Sequence, residues 1–94
     1  MTQIPYDKKQ SIERLLQNMC CNIAKDEDCA LIWTFNDQIK MLYIRINSNT
    51  CDIYIEFALS YMTVLNYAGD CFELLEHYID GKINELKEFE DEQK

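Results

Sequence analysis

Glycine and proline are scarce in this 94-residue chain, which holds two glycines, Gly69 and Gly81, and one proline, Pro5. Sharp turns are therefore few, and long regular elements should dominate. Neither glycine belongs to a glycine-rich loop, so a phosphate cradle is excluded. Histidine occurs once, at His77. Basic residues number nine against seventeen acidic ones, leaving a net charge of −8. The basic stripe that a nucleic-acid reader interleaves with aromatics is missing. No apolar run approaches the ~18 residues of a membrane span. Residues 1–19 are punctuated by Asp7, Lys8, Lys9, Glu13 and Arg14, a pattern unlike a secretory signal.

What is present suits one small domain, residues 1–94, with residues 1–6 and 90–94 as flexible ends. Hydrophobic content of 48% and charged content of 28% are ordinary for a globular chain. A chain of this size buries roughly 60–65% of its unfolded surface, enough for one core. Five cysteines, at 20, 21, 29, 51 and 71, are an odd set without a secretory signal. Reduced thiols in the cytoplasm are the economical reading.

Residues 7–10, DKKQ, fit a capping box in which Asp7 accepts from the backbone and Gln10 reaches back. Ile12, Leu15, Leu16, Met19 and Ile23 then recur at helical spacing, predicting a helix over about 8–24. A charged loop, KDEDC, follows at 25–29. ALIWTF (30–35), QIKMLYIRI (38–46) and CDIYIEFA (51–58) read as strands. Asn36 and Asp37 tolerate positive φ and predict a type I′ hairpin turn between the first two. The three strands form an antiparallel meander. Residues 59–67, LSYMTVLNY, stay open: a prolonged third strand, a fourth strand or a helix. DCFE (70–73) reads as a second capping box, with Asp70 as N-cap and Glu73 at the third helical position. Phe72, Leu75, Ile79, Ile83, Leu86 and Phe89 then form one apolar stripe, which Gly81 kinks or splits. The expected fold is α+β in the order α-β-β-β-α, with two helices packed on one face of a three-stranded antiparallel sheet.

Catalytic and metal signatures fail on spacing. Cys20, Cys21 and Cys29 lack the CxxC spacing of zinc sites, and no second histidine exists. Cys71 lies on a different helical face from His77. Asp52 and Glu56 on one strand sit about 13 Å apart, too far to share a substrate atom. The acids at 26–28 lack the alternating ligands and the glycine of a calcium loop. The expectation is no enzyme, no metal and no cofactor.

The acids are unevenly placed. Nine lie between Asp70 and Lys94, and Asp26, Glu27 and Asp28 crowd a loop. The sheet face opposite the core also keeps Ile39, Met41, Tyr43 and Tyr54, an apolar patch of the kind that marks an interface. In size, charge and helix–sheet–helix order the chain resembles the small acidic inhibitors of phages and mobile elements. These are anti-CRISPR and anti-restriction proteins that mimic DNA, and immunity proteins or antitoxins that cover nuclease toxins. That resemblance implies an inhibitor that covers a basic, nucleic-acid-handling enzyme or toxin, with no direct nucleic-acid or membrane contact. Candidate contacts are Asp26, Glu27, Asp28, Tyr43, Tyr54, Glu56, Glu73, Glu76, Asp80 and Glu88. The alternative is a homodimeric adaptor or chaperone binding an apolar peptide segment, similar in composition to small acidic secretion chaperones.

Overall fold

A computed structural model describes residues 3–68 and 72–93. The fold is α+β, with elements in the order α1 (Tyr6–Asp26), β1 (Cys29–Asn36), β2 (Met41–Ser48), β3 (Tyr54–Ser60), α2 (Tyr61–Ala68) and α3 (Glu73–Glu92). The strands form one antiparallel sheet in the order β1-β2-β3. Three helices stand where two were expected, because the open segment at 59–67 divides. Leu59 and Ser60 complete β3, and Tyr61 begins α2.

Alternation decides the buried face of the sheet. Cys29, Leu31, Leu42, Ile44, Ile46 and Leu59 are buried, while Trp33, Phe35, Ile55 and Phe57 are half-buried against the same core. From α1 come Ile12, Leu16, Met19 and Ile23, and from α3 Leu75, Ile79, Ile83 and Leu86. α2 adds Tyr61 and Val64. Ile4, ahead of α1, is buried too, so the core reaches into the segment expected to be a loose lead-in. The molecule spans 44 × 24 × 16 Å. Its thinnest dimension has room for one helical layer on one sheet, since stacked layers are ~10 Å apart. Among the described residues no layer covers the other sheet face.

Local structure departs from expectation at the element ends. α1 starts at Tyr6, with Pro5 as its cap and no side-chain cap bond, so Asp7 and Gln10 form no capping box. Instead the Lys9 amide donates to the Pro5 carbonyl at 2.8 Å, and Gln10 Nε2 donates to the Tyr6 hydroxyl at 2.9 Å. Pro5 explains the early start: it lacks the donor that the first helical turn leaves unused. The first hairpin turn occupies residues 37–40, not two residues, because Asn36 pairs with Met41. Asn36 Oδ1 accepts from the amides of Gln38 and Ile39 at 3.0 and 3.3 Å, holding the longer turn, and Lys40 closes it at φ 56°. Such side-chain bonding to nearby amides is a turn-forming property of Asn.

α3 runs unbroken through Gly81 to Glu92. Gly81 is exposed, with open space where a Cβ would stand, so no neighbour exploits it as a break. Asp70 lies outside the described residues. Glu73 is the first helical residue, not the third, and Phe72 precedes it in the left-handed region at φ 61°. At the far end the apolar stripe does not finish on Phe89, which is 47% exposed. Glu90, 4% exposed, takes the inward position and extends the folded part into the expected flexible end.

Candidate functional surfaces

Glu90 makes the end of α3 part of the fold. Lys87 Nζ donates to Glu90 Oε2 at 2.9 Å and to the Glu27 carbonyl at 2.8 Å. Glu27 is the C-cap of α1, where unsatisfied carbonyls and the helix dipole favour a cation. The Cys29 thiol also donates to Glu90 Oε1, at 3.8 Å. The Lys87 bond holds the Glu90 carboxyl below the usual carboxylate range, overcoming the burial that pushes it up. Burial, then Glu90, push the Cys29 thiol up. This cluster is structural: a neutral thiol, a carboxylate and an ammonium tie α3 to the junction of α1 and β1. Sequence spacing missed it, because only the polarity of Glu90 was visible and not its inward position.

Above this junction the two long helices leave a groove of about 360 Å³, lined by Asn22, Ile23, Asp26, Glu27, Asp80, Ile83 and Asn84. Asp26 comes from the last turn of α1 and Asp80 from the middle of α3, so packing brings distant acids of the sequence to one place. Asp26 and Asp80 are exposed, and Glu27 is half-buried. Asp28, at φ 54°, does not line the groove and accepts from Asn49 Nδ2 at 3.2 Å. Glu73 and Glu76 stand exposed on the first turn of α3, where carboxylates suit the helix dipole. Glu88 is exposed further along the same helix. Among the described residues, the ion pairs are Lys9–Asp37, Lys82–Glu85 and Lys87–Glu90. Asp26, Glu76, Asp80 and Glu88 belong to none of them. Asn22 and Asn84, which line the groove, carry no charge and gave no sequence signal.

Tyr43, Tyr54 and Glu56 lie elsewhere, on the uncovered sheet face, with Ile32 and Arg45. The candidate contacts therefore divide between two opposite surfaces. Ile32 and Tyr54 are each 53% exposed. The Arg45 guanidinium lies 3.9 Å from the centre of the Tyr54 ring, and its Nε donates to Asn47 Oδ1 at 2.9 Å. A shallow depression of about 130 Å³ is lined by Ile32, Thr34, Tyr43, Arg45 and Glu56, among others. Ile39 belongs to the turn and not to this face.

His77 is exposed on α3. Among the described residues no group of three or more His, Cys, Asp or Glu side chains could hold a metal ion. Nor is any helix there long and apolar enough to cross a membrane. Comparison with protein-family models, curated proteins and solved structures finds no match to this chain.

Proposed function

We propose that the chain is a non-enzymatic cytoplasmic inhibitor that lays its acidic helical layer over a basic, nucleic-acid-handling protein. The observation that carries this reading is the convergence of Asp26 and Glu27 from α1 with Asp80 from α3 on one groove. Glu73, Glu76 and Glu88 extend the same negative field along α3. Carboxylates held on rigid helices attract a basic surface at long range and orient it on approach. Ile23 and Ile83 in the groove give an arginine or lysine stem apolar surface to lie on.

Capture by the immobilised chain from native lysate, followed by a salt gradient and mass spectrometry, tests the reading. The retained proteins should be basic, should elute between low and moderate salt, and should be displaced by duplex DNA. Retention of apolar segments that ignores salt and DNA would sink it, as would no retention at all.

A further inference from the structure

We infer that the uncovered sheet face pairs with a second copy of this chain, Arg45 of each copy lying against Glu56 of the other. Three observations converge on a second copy as the occupant. First, the face is charge-balanced in a chain of net charge −8. Across its rows the strands present one cation, Arg45, and one anion, Glu56, among otherwise uncharged residues. A basic partner is drawn to the helical layer instead, and an identical acidic chain can approach closely only where the charges cancel.

Second, Arg45 and Glu56 are register partners on β2 and β3, yet they form no ion pair with each other among the described residues. Arg45 is stacked on Tyr54 and steered by Asn47. That arrangement occupies Nε, and a guanidinium so held can offer its terminal nitrogens to a bidentate carboxylate.

Third, the rows across β2 and β3 on either side of Arg45 and Glu56 set a large group beside a smaller one. Tyr43 is opposite Ala58, Tyr54 opposite Asn47, and Met41 opposite Ser60. A two-fold axis parallel to the strands, lying between the two sheets and midway between β2 and β3, inverts every such row. Tyr43 of one copy then meets Ala58 of the other, Tyr54 meets Asn47, and Arg45 meets Glu56. This is the self-complementarity that a two-fold interface requires, and it is size-matched as well as charge-matched. Ile32, on β1, falls at the rim.

The face is small. Only β2 and β3, of about seven residues each, overlie their counterparts, across roughly 10 × 24 Å, so two copies bury on the order of 500–700 Å², the low end for weak and transient pairs. The pairing stands on residues outside the acidic groove, so its failure leaves the capture result untouched and the reverse also holds.

Sedimentation velocity of the full chain, from about 5 µM to about 500 µM at ~0.15 M salt, tests it. The average mass should climb from 11.2 kDa towards twice that value. Arg45→Glu alone and Glu56→Arg alone should each raise the dissociation constant at least about 10-fold. An equimolar mixture of the two variants should recover a dimer, because each then supplies the charges the other lacks. Circular dichroism checks that both variants fold. Should either fail to fold, amide shifts of the unaltered chain on dilution take their place, and they should change on β2 and β3. A mass fixed at 11.2 kDa throughout overturns the pairing. So does a dimer indifferent to both swaps, a mixture that stays monomeric, or dilution shifts confined to other elements.

Discussion

Glu90 shows how one residue's position can reverse its apparent role. Leu86 is followed at three residues by Phe89 and at four by Glu90. The inward positions Leu75, Ile79, Ile83 and Leu86 had already advanced by steps of four, four and three. At about 100° per residue, the step of four returns to the core and the step of three swings wide of it. Hydrophobicity alone therefore chose the wrong neighbour. The consequence for stability has a definite sign. A carboxyl whose folded value is depressed contributes above its unfolded value, about 4.3, and that contribution is lost as pH falls through the folded one. Asp37 follows the same direction, because the Tyr61 hydroxyl donates to it at 2.6 Å and Lys9 stands 3.6 Å away. Urea unfolding of Glu90→Gln should show a loss of about 1–2 kcal/mol at neutral pH, and a shallower decline below pH ~4.3 than the unaltered chain. An acid profile parallel to that of the unaltered chain would remove Glu90 from the account.

Elements were legible where a single period dominates. The apolar spacing of α1 from Ile12 to Ile23 and the alternation of Leu42, Ile44 and Ile46 were read directly from the sequence and lie buried as read, except Leu15, which is half-buried. Ends and junctions were not, since they depend on tertiary partners. Tyr61, with a β-favouring side chain, starts a helix because its hydroxyl reaches the hairpin turn and its ring meets Phe35 edge-on, with centroids 6.2 Å apart. Local propensity cannot weigh a bond to a residue 24 positions away. Of the candidate site, the acids were visible as acids. Their division into a groove and a separate sheet face was not, because only packing fixes which faces meet. Two substitutions probe the elements without replacing any residue named as a contact. Gly81→Ala should stabilise the chain by about 0.5–1 kcal/mol, since the added methyl meets nothing and helix propensity improves. Lys40→Gly should relieve the left-handed backbone at φ 56° and gain about 0.5–1 kcal/mol. Both gains would appear as raised Tm in calorimetry. A lowered Tm for either would mean that the helix or the turn is held otherwise than described.

At the scale of the whole molecule, the two layers separate two kinds of surface. The helical layer carries the groove acids and the other acids of α3, and the sheet carries rings with one cation and one anion. Asp26→Asn, Glu76→Gln and Asp80→Asn together should slow association with captured basic proteins about 10-fold at low salt, with the difference fading as salt rises. Stopped-flow association rates measure it, and an unchanged on-rate would move the contact off the helical layer. The layering has an optical consequence as well. Trp33, the sole tryptophan, sits half-buried on the core side of β1, the strand against which α1 packs. Its fluorescence is thus a built-in gauge of whether the first helix is seated. Lifting α1 would wet the indole and redden its emission, with no dye attached.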